Sequence, residues 1–269
     1  MGKLLNPRRL ISHGDFVTFH TGRCGSTVLS GLLKQHPKIY CDNELFYGYY
    51  GPAKKYWEKR KDIRTLWTNS CFFPSNPTGF LKSQMFWAGL HPFYGFEVTL
   101  YQIKWNNWEI SKFIKDLQQL NIKNFIVLER KNYLSKIVSG VVAGKRGSYH
   151  LSTKDKISLH RIKLDLNNVT VDFDEKPLLD YLEEYDRQYR ILKESLQNLN
   201  MLWLTYEDDI EKTPFTAYHR VCDFLEIKPH NANILLKKGN PYKLKEVLIN
   251  YDEIAEILNN TPYQWMLDG

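Results

Sequence analysis

Residues 16–34, Phe-Val-Thr-Phe-His-Thr-Gly-Arg-Cys-Gly-Ser-Thr-Val-Leu-Ser-Gly-Leu-Leu-Lys, constrain what this chain can fold into more than any other stretch. A β-rich run from Phe16 to His20 meets a loop punctuated by Gly22 and Gly25, and an apolar helical pattern follows at Val28, Leu29, Leu32 and Leu33. Strand, glycine loop and helix in this order make a phosphate cradle. The amides of the loop and of the first helical turn converge on one point, and the helix dipole adds partial positive charge there. Three familiar versions of the motif are excluded by spacing. A nucleotide-triphosphate loop needs four residues between its glycines and then Lys with Ser or Thr, but only Arg23 and Cys24 lie between Gly22 and Gly25 and no Lys follows. The G-x-G-x-x-G dinucleotide fingerprint is absent. A cysteine phosphatase needs an Arg shortly after Cys24, where the chain reads Gly-Ser-Thr-Val-Leu-Ser. What remains is a loop that binds an anion through backbone, hydroxyls and one guanidinium. An ordinary strand-to-helix turn is the alternative when these residues are taken alone.

The charge balance agrees with an anionic ligand. Net charge is +7 over 269 residues, which admits an anionic small molecule, a nucleic acid or a membrane surface. No Lys/Arg block is long enough for a nucleic-acid arm; the densest basic stretch, Lys54 to Arg64, is interleaved with aromatics. Cys24, Cys41, Cys71 and Cys222 show no paired metal spacing. Reduced thiols in a cytoplasm are the simplest expectation. The first residues carry no long apolar core of a signal peptide, and no run reaches transmembrane length, so stable membrane insertion is not expected.

Along the chain, strands alternate with helical patterns. Ile39-Tyr40-Cys41 reads as a second strand that delivers Asp42-Asn43-Glu44 at its end. Phe96 to Ile103 reads as a buried strand, and Ile110, Phe113, Ile114, Leu117 and Leu120 as a helix. Phe125 to Leu128 is an apolar strand of the fully buried type. It delivers Glu129-Arg130, and a helix from Asn132 to Val142 follows, stopped at Gly144. Residues 145–176 are polar and aperiodic, with Lys145, Arg146 and Gly147 as a mobile basic loop. Leu and Tyr at 178, 182, 185, 189, 192, 196 and 199 mark a core-packing helix. Met201 to Thr205 is another buried strand, followed by Tyr206-Glu207-Asp208; Thr213-Pro214 opens a helix. Asn250 with Glu253 resembles a capping box. This alternation predicts a single α/β domain over 1–269, with a central, mainly parallel sheet flanked by helices and a P-loop-like strand-loop-helix. Residues 45–95, crowded with aromatics and bases, are either an irregular subregion packed on the sheet or an acceptor-binding wall.

Four pieces at strand ends carry a resemblance: Gly22-Arg23-Cys24-Gly25-Ser26-Thr27, Arg130 with Ser139, Tyr206-Glu207-Asp208, and Lys237-Lys238-Gly239. In this order they resemble the sulfotransferases that use 3′-phosphoadenosine-5′-phosphosulfate (PAPS), most of all the bacterial carbohydrate enzymes of the trehalose-modifying type. The resemblance runs over roughly residues 15–267. It implies that Gly22, Arg23, Cys24, Gly25, Ser26 and Thr27 hold the 5′-phosphosulfate. It implies that Arg130, Ser139, Lys237, Lys238 and Gly239 serve the 3′-phosphate, and that Tyr206 neighbours the adenine. Many members place the Ser eight residues after the Arg. Here Val138 stands at eight and Ser139 at nine, the longer spacing of the bacterial carbohydrate enzymes.

The activity so implied is transfer of a sulfuryl group to an acceptor hydroxyl by in-line displacement, with no metal, on a small-molecule or carbohydrate acceptor and without nucleic acid. Arg23 is then the cation at the leaving oxygen and Glu44 the candidate general base, since the bacterial enzymes carry a Glu in a similar place. His20 is expected to shape the loop; His91, His150 and His160 are weaker base candidates. A nucleotide-dependent kinase and a non-catalytic module for anionic ligands or glycans are the competing classes. Oligomeric state is not legible.

Overall fold

The computed structural model describes residues 14–46, 77–88, 91–171 and 174–268. Most of the aromatic region 45–95 therefore lies outside the described residues. The central sheet is built from β1 (Asp15–His20), β2 (Ile39–Glu44), β3 (Phe93–Thr99), β4 (Ile122–Glu129) and β7 (Asn200–Thr205), in the order β2-β3-β1-β4-β7. Every pairing is parallel. All six residues of β1 and all seven of β3 are buried, which is why both read as continuous apolar runs rather than as alternating ones. A separate antiparallel hairpin joins β5 (Val169–Val171) to β6 (Asp174–Lys176).

The helices cover both faces. On one face α1 (Ser26–Leu33) and α7 (Phe215–Phe224) bury Leu29, Leu32, Leu33, Tyr218 and Val221 against Phe16, Ile126 and Leu128. On the other face α4 (Ile110–Gln119), α5 (Tyr133–Arg146) and α6 (Leu178–Leu196) pack on Val17, Phe19, Phe96, Phe125 and Val127. Alternate residues of each strand thus feed opposite cores. The strand order reverses beside β1, and in open α/β sheets the ligand crevice lies at the C-terminal strand ends of such a switch point. The chain places the Gly22–Thr27 loop there.

Four local expectations are corrected. The strand expected over 96–103 ends at Thr99 and continues as α3 (Leu100–Trp105). Gln102 Oε1 accepts the Thr99 amide at 3.3 Å, so a Thr-x-x-Gln helix start was hidden in a β-rich composition. The helix expected to stop at Gly144 runs to Arg146, because the left-handed cap falls on Gly147, φ 73°. The mobile basic loop expected at Lys145, Arg146 and Gly147 is instead the last turn and cap of α5, and the segment after it is tied down. Thr153 donates to the Leu235 carbonyl at 3.1 Å, Lys237 to Leu151 at 3.0 Å, and Ile162 to Val247 at 2.8 Å. Asn250 stands at the N-cap of α9 (Tyr251–Leu258) and donates to Glu253 at 3.1 Å, but its side chain makes no cap bond to the helix backbone; it brackets the Leu164 backbone instead, accepting its amide and donating to its carbonyl.

Candidate active site

Between β1 and α1 the backbone takes a conformation that most residues avoid. Gly22, Arg23 and Gly25 have φ of 81°, 54° and 86°. A non-glycine residue held there costs about 1–3 kcal/mol, and such strain gathers at ligand sites. Successive amides in this conformation form a concave nest for anions. Gly25 is required twice over: a β-carbon on it would stand 2.6 Å from Ile210 Cγ2. No side chain caps the start of α1, so the first-turn amides, which have no intrahelical partner, face the loop's focus. Cys24 is fully buried in the apolar core against α1 and α7; its backbone belongs to the loop and its sulfur does not open on the cleft.

A cleft of about 230 Å³ opens beside this loop. Arg23, Gly25, Ser26, Thr27, Arg130, Ser139, Tyr206, Lys237, Lys238 and Gly239, ten of the predicted nucleotide contacts, line it together. They arrive from four separate parts of the chain. Arg23 donates from Nε and Nη2 to Ser139 Oγ at 3.3 and 3.2 Å, and from Nη1 to the Tyr149 carbonyl at 2.9 Å. Val138 is fully buried, so the residue nine positions after Arg130 is the one that faces the loop. Arg130 is 9% exposed and lies over the Tyr206 ring, 4.4 Å from its centroid. Its Nη1 donates to the Arg23 carbonyl at 3.2 Å, while Nε is buried without a hydrogen-bond partner.

Arg146 was offered by the sequence only as part of a mobile basic loop, not as a site residue. Its Nη1 donates to the Gly239 carbonyl at 2.8 Å and its Nη2 to the Ser148 carbonyl at 2.7 Å, tying the late basic turn to the end of α5. A β-carbon on Gly239 would meet the guanidinium tips of Arg146 and Arg23 at 3.3 and 3.6 Å. The signal that could have found it is the basic pair Lys145-Arg146 just before a glycine, since helices end that way. Among the described residues none of Arg23, Arg130 and Arg146 pairs with a carboxylate. Burial, then the charges of Arg130 and Arg146, lower the pKa of Arg23 from its ordinary value. The two lysines line the cleft with their ammonium groups already engaged, Lys238 with Glu211, itself a lining residue, at 2.6 Å and Lys237 with the Asp155 carbonyl.

Glu44 and Gly22 stand outside the cleft, on the other side of the loop. Glu44 Oε2 accepts from the Tyr101 hydroxyl at 2.6 Å, and the Tyr101 ring lies 3.7 Å from where a Gly22 β-carbon would be. His20 sits beneath the loop, its Nδ1 accepting the Gly22 amide at 3.0 Å. Of the other histidines, His150 lines the cleft; burial and the Arg23 charge lower its pKa. His91 contacts the Ala88 carbonyl and His160 the Ser158 hydroxyl, both away from the cleft. Among the described residues no group of three or more His, Cys, Asp or Glu converges on one point, and no helix is long and apolar enough to cross a membrane.

No protein-family model matches the chain, and no curated protein matches it in sequence. Among solved structures it is similar to the crystal structure of a sulfotransferase from Alicyclobacillus acidocaldarius, with 12% identity and a TM-score of 0.52 over 95% of this chain and 94% of that one. At that identity the likeness is one of fold: a five-stranded parallel sheet flanked by helices, matched over nearly the whole length.

Proposed function

We propose that this protein is a sulfotransferase that takes a sulfuryl group from PAPS and passes it to the hydroxyl of a carbohydrate or other small-molecule acceptor in the cytoplasm. The observation that carries this is the cleft itself. Two guanidiniums without a carboxylate partner among the described residues, Arg23 and Arg130, line it beside an uncapped helix N-terminus and a left-handed loop, and a third, Arg146, stands next to it on the Gly239 carbonyl. Like charges so close repel one another, and a polyanion between them offsets that repulsion. The residues fit a bisphosphorylated nucleoside: the buried Arg130 Nε lacks an acceptor, and Ile210, Ile234 and Leu236 form an apolar wall beside Tyr206 suited to a planar base.

PAPS, when bound, supplies an activated sulfuryl group with a phosphate leaving group. The chain's own part is to position and to stabilise charge. The amides of Cys24 to Thr27, with the Ser26 and Thr27 hydroxyls, hold the 5′ end. Arg23, steadied by Ser139 and the Tyr149 carbonyl, sets a fixed cation where negative charge grows on the leaving oxygen. Arg130, Ser139 and the 237–239 turn hold the 3′ end, and Lys238 can exchange Glu211 for phosphate. Glu44, across the loop, takes the acceptor proton.

Titration of the protein with 3′,5′-bisphosphoadenosine, ATP and heparin, followed by a PAPS-dependent screen for acceptors that gain one SO₃ group, tests this. Micromolar binding of bisphosphoadenosine without Mg²⁺, and turnover with PAPS, are expected. No binding sinks the proposal. Binding without turnover on any acceptor turns the protein into a non-catalytic module, and tighter Mg²⁺-dependent binding of ATP would favour a kinase.

A further inference from the structure

Under the anion loop lies a buried group that the transfer chemistry does not use. His20 closes β1 and is 0% exposed; Glu97, on the neighbouring strand β3, is 3% exposed. Both point to the α1 face of the sheet, where polar side chains are expensive to bury unless they are paired. His20 Nε2 stands 3.2 Å from Glu97 Oε2, an ion-pair distance that falls outside hydrogen-bond geometry, so Glu97 acts on the ring through its charge. On the other side of the ring, Nδ1 accepts the amide of Gly22 at 3.0 Å. Gly22 is the first of the left-handed residues that shape the nest, at φ 81°.

An imidazole nitrogen accepts a hydrogen bond only when it carries no proton. A carboxylate on the far nitrogen draws the single ring proton to that side, so the tautomer is set by the partner there. We infer that His20 is the positioning residue of the anion loop. Held by Glu97 with its one proton on Nε2, it anchors the Gly22 peptide through Nδ1, and a second proton on the ring releases that peptide and disassembles the nest.

The groups facing the ring decide when that happens. Burial opposes the charged ring, but the Cys24 sulfur and the Glu97 carboxylate outweigh it and push the His20 pKa up. Glu97 is itself held below its ordinary range: burial opposes its charge, while His20, then Ser30 and Lys34 of α1, favour it. The net effect of these neighbours is to favour the doubly protonated ring. The direction of the effect is diagnostic. An imidazolium acting only as one more cation near a polyanion strengthens binding as pH falls; an anchor that needs a bare Nδ1 weakens it.

Two measurements test the anchor, and one needs no ligand. ¹⁵N NMR of the histidine ring and of the Gly22 amide, recorded across pH, should show Nδ1 unprotonated and Nε2 protonated at alkaline pH. The Gly22 amide should shift in step with protonation of the ring. A ring proton on Nδ1 while the Gly22 amide is unchanged overturns the inference. The second measurement is calorimetric titration with 3′,5′-bisphosphoadenosine from alkaline to acid pH, comparing wild type with His20→Asn, whose Oδ1 can accept the same amide but does not titrate. Above the ring's pKa the two should bind alike within about threefold; below it the wild type should lose affinity relative to the variant by roughly tenfold per pH unit. Parallel pH profiles overturn the inference. Glu97→Gln, which removes the carboxylate that favours the ring charge, should move the wild-type transition to lower pH. A transition that stays in place overturns the Glu97 role. Thermal melts confirm that each variant folds. This inference rests on the nucleotide-binding reading only in its second half: if bisphosphoadenosine does not bind at any pH, that reading fails, and the ring measurement still decides the anchor.

Discussion

Arg130 carries several interactions at once: a stack on Tyr206, a hydrogen bond to the Arg23 carbonyl and a buried Nε without a partner. A hydrogen bond to a charged group contributes about 1.5–3 kcal/mol. Arg130→Ala should therefore weaken bisphosphoadenosine binding roughly 10- to 100-fold. Arg130→Lys should recover little of this, because an ammonium neither stacks flat on Tyr206 nor presents a fork of donors. Calorimetry of both variants checks this; near-equal affinity for Lys and Arg would show that charge alone matters. Glu44 calls for the opposite signature. With Tyr101 as a partner and no place in the cleft, Glu44→Gln should leave bisphosphoadenosine affinity unchanged and lower kcat by about a hundredfold to ten-thousandfold. Turnover near wild type would remove Glu44 from the role. Both residues were legible as strand-end charges. Arg146 was not, since its function depends on which distant carbonyl its guanidinium reaches.

The loop that joins β1 to α1 is packed against the π-helical turn Tyr206–Ile210 through the contact between Gly25 and Ile210. Gly25→Ala adds left-handed strain of about 1–3 kcal/mol and drives a methyl group into Ile210. A fall in Tm of about 2–4 °C per kcal/mol is expected for a domain of this size, along with loss of nucleotide binding. An unchanged melting curve would mean that the turn gives way freely. The same turn anchors α5: Glu207 accepts the amides of Lys131 and Asn132 at 3.1 and 3.0 Å, so the Gly22–Thr27 loop and the Arg130 side of the cleft hang on one five-residue element. The hairpin β5–β6 is attached differently. Asp174 contacts Lys104 at 2.8 Å and Lys176 at 2.9 Å, and both lysines reach Glu184 of α6. Burial would raise the Asp174 pKa, but Lys104 and then Lys176 hold it at about 2. A depressed carboxylate pKa stabilises the fold above the unfolded value of about 3.9, and that stability is lost as pH falls toward about 2. The pair is solvent-screened, so Asp174→Asn should cost only about 0–1 kcal/mol at neutral pH and should flatten the acid limb between those two values. Equal acid sensitivity in wild type and variant would refute the linkage.

Across the whole molecule, two cores on opposite faces meet at one sheet, and the cleft sits where the strand order turns back beside β1. Because four sequence-distant segments must be in place to form it, ligand binding and folding are coupled. Bisphosphoadenosine at a hundred times its Kd should stabilise the protein by about 2.7 kcal/mol. The gain should shrink with added salt, because the cleft's cations are partly open to solvent and are screened. Thermal melts with and without ligand at low and high ionic strength check this; a salt-independent shift would mean that apolar contacts dominate.

The alternation of fully buried strands with amphipathic helices, and the glycine–arginine–hydroxyl loop after the first strand, are local patterns, and the sequence alone determined from them a parallel α/β sheet with a glycine loop between its first strand and first helix. Residue spacing could also place Arg130 and Tyr206 at strand ends. What it could not determine were the long-range pairings. That Ser139 rather than Val138 faces Arg23, that Arg146 closes on the Gly239 carbonyl, that residues 151–162 are bridged to the late segment, and that His20 supports Gly22 from beneath were decided only by tertiary structure. Each of these depends on which groups burial forces to find a hydrogen-bond partner, and in most of them that partner lies far along the chain. Even the His20–Gly22 contact, two residues apart, takes its meaning from Glu97 on a strand that arrives much later in the sequence.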